Sequence, residues 1–337
     1  MTGGALIGVS RWLLATACVL AVALAVPTIA GTGPDTLRAA MIVPAAPAPP
    51  APAPPTPAPP VPAPSTAAPP VPAPAPPTSP PSSVPPGVPV PPGPAAAAVA
   101  AAEDAAAGST ELAVAVLDRT TGEVAIGAGG AAPFFTASLA KVVVAVDVLD
   151  RRRTEGLAVS DVDLDLLRRA LGPSDDEAMN ALWTRFDGFG APARVTASLG
   201  LAATNAPEQP GQWGEVSVSA ADNLRIWQYI LDAMPAADRD FLVAAMEVAP
   251  TISRDGFDQA FGLLSPAVDG PDAPGAVAKQ GWMCCVAGQR YLNSVGFVGA
   301  DQRFLVAVLT RYPRGSGWDA ARTEVDGIAD ATVQALN

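Results

Sequence analysis

Histidine is absent from this 337-residue chain, and its absence excludes more chemistry than any residue present supplies. No Ser-His-Asp or Cys-His catalysis can be built, nor an imidazole zinc site, nor a histidine pH switch. A hydrolase made from this sequence must find its general base among Lys, Asp, Glu and Tyr. Lysine is itself scarce. Of the 20 Lys and Arg residues only Lys141 and Lys279 are lysine, and an arginine guanidinium stays protonated in proteins. Positive charge is short overall. The chain carries a net −12, and residues 1–98 hold only Arg11, Asp35 and Arg38, so the remainder carries −13. That argues against nucleic acid and an anionic membrane surface as electrostatic partners. Cysteine is limited to Cys18, Cys284 and Cys285.

Proline is the opposite case, abundant but confined. Residues 44–94 hold 26 of the 39 prolines and no charge, and eleven prolines follow Pro94. Proline fixes φ and removes backbone donors, so this stretch is expected to stay disordered and extended in polyproline II. At ~3.1 Å per residue it would reach on the order of 150 Å, a spacer holding a domain away from a membrane. Upstream, Arg11 precedes the apolar run Trp12–Val26, 15 residues long, which Pro27 ends. Ile29-Ala30-Gly31 offers a cleavage site, so the segment reads as an export signal. The run is shorter than a ~20-residue span, yet extension to Ala30 almost reaches it, which leaves an uncleaved anchor open. Cys18 follows Ala15-Thr16-Ala17, a loose likeness to a lipoprotein box, but Val19–Val26 continues apolar. The expected organisation is a signal peptide or signal anchor over 1–30, a Pro/Ala-rich linker over 31–98 and one folded domain over 99–337. An exported location follows, either membrane-anchored through the N-terminal segment or secreted.

Within the domain, Ala100–Ala107 reads as a short opening helix. Leu112–Asp118 and Glu123–Ala128 read as a hairpin about Arg119-Thr120-Thr121-Gly122. Ser138–Arg153 is apolar nearly all round, which predicts a buried central helix. Leu164–Leu171, Asp175–Phe186, Pro192–Leu199, Ala220–Ala233 and Asp238–Val248 follow as helices, with Ser217 or Ser219 capping the fourth. From Val277 the period changes. Val277–Cys284, Arg290–Val298 and Arg303–Tyr312 read as three strands with short turns, and Gly317–Leu336 closes as a helix. The fold class is α+β: an antiparallel sheet built from both chain ends, flanking terminal helices and an all-helical subdomain. A cleft at the junction is the natural place for a site. Trp183, Trp213 and Trp227 could line it, but at these spacings core positions are expected.

Three segments carry chemistry. Phe135-Thr136-Ala137-Ser138-Leu139-Ala140-Lys141 puts Ser138 in the first turn of the buried helix and Lys141 on the same face. Burial should lower the lysine pKa, and a neutral amine beside a hydroxyl is a competent base. Ser174-Asp175-Asp176-Glu177 opens a helix, with Ser174 and Glu177 spaced as a capping box. Lys279-Gln280-Gly281-Trp282 lies on the first C-terminal strand.

Together these segments resemble the serine β-lactamase and penicillin-binding protein superfamily, whose ordered motifs are S-x-x-K, S-x-N and K-[TS]-G. The resemblance spans residues 110–337 and is nearest to class A β-lactamase-like domains, with Asn180 also matching. It implies a β-lactamase/transpeptidase-like fold and a hydrolase with Ser138 as nucleophile. Lys141 would be its base, Ser174 a proton shuttle and Lys279 a source of positive potential for a substrate carboxylate. Asp176, Gln280, Gly281 and Trp282 would touch substrate, and the Ser138 and Trp282 N–H groups would form an oxyanion hole. The implied partner is a peptidoglycan-type or β-lactam-like small molecule. No cofactor or metal is implied, and a monomer is expected.

The departures from the family pattern are specific. Asp176 replaces the S-x-N asparagine, and its carboxylate should pair with Lys141 and favour the charged amine. Gln280 replaces the hydroxyl of K-[TS]-G. The loop Thr204–Trp213 lacks the E-x-x-x-N of class A enzymes. Glu208 is its nearest candidate for deacylation and Glu215 the second. A poor β-lactamase is therefore expected, with a catalytically silent protein that binds a wall fragment or partner protein as the alternative. Cys284-Cys285 could form a vicinal disulfide in an oxidising compartment or remain two thiols.

Overall fold

The computed structural model describes residues 91–269 and 275–336. The expected export segment, Cys18 and nearly all of the proline-rich linker lie outside the described residues. Helix α1 (Pro94–Ala105) starts earlier than the sequence suggests, inside the expected linker. Pro94 occupies its first turn, where a missing N–H costs nothing and the fixed φ suits a helix.

The remaining elements follow in chain order. They are β1 (Glu111–Asp118), β2 (Glu123–Ile126), β3 (Phe134–Phe135), α2 (Ala140–Thr154), α3 (Asp161–Leu171), α4 (Asp176–Arg185), α5 (Ala191–Leu199), β4 (Ser217–Val218), α6 (Ala220–Gln228), α7 (Ala236–Glu247), β5 (Ala276–Cys284), β6 (Gln289–Val298), β7 (Phe304–Pro313) and α8 (Trp318–Gln334). The five long strands form one antiparallel sheet in the order β2-β1-β7-β6-β5. Both chain ends thus build it, and β5 is an edge strand.

Alternation along the strands separates two cores. Ala113, Ala115, Leu117, Val277, Val295, Leu305 and Ala307 face α2 and the helical block. Val114, Val116, Ala278, Leu292, Val306 and Val308 face α1 and α8. Helix α2 lies between the sheet and the other helices, which explains its unbroken apolar surface: ten successive residues, Ala140–Leu149, are buried.

Two elements escaped the sequence reading. β3 and β4 are only two residues long, paired Phe134↔Val218 and Phe135↔Ser217, too short for any alternation to register. Helix α6 gives way to a π turn over Tyr229–Ala233, so the expected single helix ends in a different winding ahead of Pro235. Ser219 is the residue that caps α6, accepting from the Asp222 N–H.

Candidate active site

The segment before α2 is held at Phe135 and Thr136. Thr136 donates its N–H and its hydroxyl to the Val216 carbonyl at 2.8 and 2.7 Å. The buried Asn293 amide donates to Phe135 O at 2.9 Å. Directly after these anchors the chain makes a 3-10 turn, Ala137–Leu139, in which Ala137 adopts φ +48°. A left-handed alanine is uncommon and costs energy that the surroundings must supply. Ser138 therefore sits in a tight turn ahead of α2, not in its first α-helical turn as the spacing suggested. Lys141 occupies that α turn, and the two side chains still meet.

Lys141 Nζ lies 2.9 Å from Ser138 Oγ, 3.1 Å from Ser174 Oγ, 2.7 Å from Ser174 O and 2.7 Å from Asp176 Oδ1. Four oxygens surround an amine with at most three protons to donate, so once neutral the nitrogen can accept from a hydroxyl. From the opposite side, Lys279 Nζ on β5 donates to Ser174 Oγ at 3.0 Å and to Gln280 O at 2.8 Å. The structure thus joins Ser138, Lys141, Ser174 and Lys279 in one hydrogen-bonded chain, all four buried.

Ser174 is free for this because it does not cap α4. Asp175 does, accepting from the Glu177 and Ala178 N–H groups at 2.9 and 3.1 Å. The cap expected at Ser174 is thus displaced by one residue, and with Ala178 at the third helical position the expected capping box does not form. Asp175 is further gripped by Arg169 at 2.6 Å, and Ser174 takes φ +56°, turning its hydroxyl out of the helix axis and into the site.

Burial dominates the electrostatics. It drives the Lys141 pKa below its ordinary value, with the Asp176 carboxylate opposing. The sequence-based expectation that Asp176 holds Lys141 charged is therefore only partly met. The Asp176 side chain is 53 % exposed, and water screens a half-exposed charge. Lys279 is pushed well below its ordinary range, first by burial and then by repulsion from Lys141.

Ser138 lines a cleft of about 330 Å³ together with Asp176, Trp213, Asp255, Trp282 and Trp318. The Trp213 ring lies 5.0 Å from Lys141 Nζ and its indole donates to Asn180 Oδ1 at 2.8 Å, whereas Trp183 and Trp227 are core residues. Trp282 stacks on Phe257 at 4.9 Å and donates to Asp255 Oδ2 at 3.1 Å. Asp255 carries no motif and was not anticipated; only its place in the turn Ser253–Phe257 brings it to the cleft. Burial opposes ionisation of Asp255, but the Ser253 hydroxyl, the Phe257 N–H and the Trp282 indole hold its carboxyl below the usual range.

Two expected substrate contacts and the deacylation candidate are placed differently. Gln280 follows Lys279 on a strand and so faces the other side of the sheet, where its amide donates to Phe261 O. It does not line the cleft. Gly281 serves packing: a Cβ there would stand 2.4 Å from Thr136 O, so the lack of a side chain lets β5 approach the Ser138 turn. Glu208 is exposed on its loop, and neither it nor Glu215 lines the cleft. Cys284 and Cys285 are bonded to each other at the end of β5, with Cys284 on the cleft wall. Among the described residues, no group of three His, Cys, Asp or Glu side chains could hold a metal ion. A larger surface cleft of about 570 Å³, beside the Asp147–Arg194 ion pair, shares no residue with this site.

No family model matches the chain. Among solved structures it is similar to a class A β-lactamase from Bacteroides cellulosilyticus, with 17% identity and a TM-score of 0.57 over 73% of this chain and 99% of that one. It is also similar to a β-lactamase from Sphaerobacter thermophilus, with 20% identity and a TM-score of 0.54 over 71% and 97%. The chain has the fold of the serine β-lactamases and penicillin-binding proteins. Among curated sequences it is 32% identical over 216 residues to "Putative lipoprotein LppW" of Mycobacterium tuberculosis and Mycobacterium bovis, over 63% of this chain and 67% of that protein. It belongs to the family of these mycobacterial proteins.

Proposed function

We propose that this protein is a serine acyl-transfer hydrolase of the β-lactamase and penicillin-binding type, working at the bacterial cell envelope. The observation that carries the reading is the buried Lys141 amine between Ser138 Oγ and Ser174 Oγ, at 2.9 and 3.1 Å, behind a cleft that Ser138 lines. In the neutral state Lys141 accepts the Ser138 proton as Ser138 Oγ bonds to the acyl carbon of an amide or ester. The scissile C–N or C–O bond then breaks, and the proton passes through Ser174 to the leaving group. Lys279, hydrogen-bonded to Ser174, keeps that hydroxyl oriented. The backbone N–H groups of Ser138 and Trp282 would hold the oxyanion.

Deacylation would be slow, because no loop glutamate lines the cleft to activate water. The protein is then a poor β-lactamase that forms a persistent acyl-enzyme on small peptidoglycan-type or β-lactam-like substrates. One observation favours a second reading: Asp176 stands 2.7 Å from Lys141, and if it keeps the amine charged the domain is a silent binder of a wall fragment or partner protein. The name of the mycobacterial relatives, a lipoprotein, supports retention at the envelope, with residues 1–30 as the anchor or signal and 31–98 as the spacer.

The test is intact-mass measurement after exposure to a penicillin-type probe and to an activated ester. A stoichiometric adduct that disappears in Ser138→Ala is expected. No adduct with either probe over hours would leave only the silent reading. Sequencing the mature N-terminus from the host membrane distinguishes cleavage, retention and lipidation at Cys18.

A further inference from the structure

The charge of the cleft runs opposite to what a carboxylate-bearing substrate needs. Among the described residues that line it, the ionisable side chains are Asp176 and Asp255; neither an arginine nor a lysine is among them. Arg254, the neighbour of Asp255 in sequence, lies outside the lining. Lys279 is buried behind the wall, where it donates to Ser174 Oγ and Gln280 O, and is not among the residues that line the cleft. Gln280 has turned to the far face of the sheet, so nothing on β5 offers an anion a free donor side chain. The acylation-competent state makes this sharper. Lys141 must then be neutral, and Asp176 loses its counter-charge at the moment the substrate is bound.

The walls are aromatic and apolar: Trp213, Trp282, Trp318 and Met283. Trp282 is fixed by its stack on Phe257 and its bond to Asp255; Lys279, Lys141 and Arg290 already lie over the Trp282, Trp213 and Trp318 rings at 5.7, 5.0 and 4.5 Å, so a further cation is drawn chiefly by Asp176 and Asp255. Aromatic faces beside carboxylates attract cations and tolerate neutral apolar groups, and they repel anions.

We propose that the cleft prefers acyl compounds that carry a cationic or apolar group near the scissile bond and reacts more slowly with those that carry a carboxylate there, penicillin-type probes included. This rests on the acyl-transfer reading for its chemistry, and its test separates the two. The probes are three p-nitrophenyl esters of equal chain length, ending in a trimethylammonium, a tert-butyl or a carboxylate group. In each, Ser138 Oγ bonds to the acyl carbon, the ester C–O bond breaks, p-nitrophenolate leaves, and the hydroxyl proton goes to Lys141. Release of p-nitrophenolate and the Ser138 adduct mass are followed together. The trimethylammonium ester should react fastest and the carboxylate ester slowest, by about tenfold or more at low ionic strength. Asp255→Asn, which keeps an acceptor for the Trp282 indole, should narrow that ratio. A carboxylate ester that reacts as fast as the cationic one, or a ratio untouched by Asp255→Asn, would overturn the proposal.

If no ester labels Ser138, acyl transfer fails, and the selection is still read by binding. Ser138→Ala would then be titrated with phenyltrimethylammonium and with benzoate by tryptophan fluorescence. Tighter binding of the cation supports the proposal, and equal or tighter binding of benzoate overturns it.

Discussion

Replacing Asp176 with asparagine removes the one carboxylate that touches Lys141 and leaves the side-chain shape in place. The pair is asymmetric: the lysine end is fully buried and the aspartate end is 53 % exposed, with 2.7 Å between nitrogen and oxygen. A fully exposed pair would contribute under about 1 kcal/mol; one buried end raises this, and solvent at the other end limits it, so about 1–2 kcal/mol is reasonable. At roughly 1.4 kcal/mol per factor of ten, Asp176→Asn should raise the neutral fraction of Lys141 about 5- to 30-fold below its midpoint. Acylation that needs the neutral amine rises with pH through that midpoint, which burial has already moved below the ordinary lysine value. The variant should therefore react faster at neutral pH, show its ascending limb at lower pH, and match the parent at alkaline pH where both amines are neutral. The assay is the pseudo-first-order rate of Ser138 adduct formation by intact mass across the pH range. An unshifted limb with a slower rate throughout would refute this reasoning and make Asp176 a residue that positions the amine.

Three further outcomes follow from the packing. Gly281→Ala must separate β5 from the Ser138 turn, since its Cβ would meet Thr136 O at 2.4 Å; a loss of about 1–3 kcal/mol in urea unfolding is expected, with adduct formation falling further than stability. Asp175→Ala removes the α4 cap, costing about 1 kcal/mol, and loosens Ser174, while Asp175→Asn should restore most of the stability. Lys279 has a pKa well below 10.5 in the fold, so the unfolded chain binds the extra proton and stability must climb as pH rises toward 10.5. Lys279→Met should flatten that climb in urea midpoints, with Lys141 responsible for the remainder. The climb ends near pH 10, where the unfolded tyrosines ionise while burial, first, and the Asp150 carboxylate hold Tyr229 protonated up to about 12.

The legible parts of the fold were those written in long periodicities. Strands β5 to β7, the hairpin and the nearly all-round apolar α2 announce themselves by alternation or by its absence; the first motif leads into α2 and the third lies on β5. What stayed hidden depends on single backbone angles or on contacts distant in sequence. The positive φ of Ala137 and of Ser174 has no compositional signature, because neither residue is glycine. The shift of the α4 cap from Ser174 to Asp175 could have been suspected, since both residues are good caps and only one can occupy the position. Gln280 was legible in principle: period-2 alternation places it opposite Lys279, and the motif likeness obscured that simpler rule. Asp255 and Trp318 reach the cleft from segments with no motif, so only the tertiary packing could assign them.

The proposed acyl transfer asks two lysines to serve in a histidine-free site. An amine acts as a base more readily once its charged form is disfavoured, and burial lowers the pKa of both Lys141 and Lys279. Burial of two amines in one place is tolerated because each hydrogen-bonds the same hydroxyl, Ser174 Oγ, at 3.1 and 3.0 Å. Two charged amines on that hydroxyl would repel, so protonation of one disfavours protonation of the other, and the pair titrates as a unit. The Ser174 hydroxyl is then the point through which a proton taken from Ser138 can leave, and its left-handed backbone and the neighbouring cap at Asp175 are what hold it there. Asp176 acts on this unit from its solvent-facing side and sets how often the amine beside Ser138 is neutral. On this account a single half-exposed carboxylate tunes the rate, while the geometry that makes reaction possible resides in residues buried behind it.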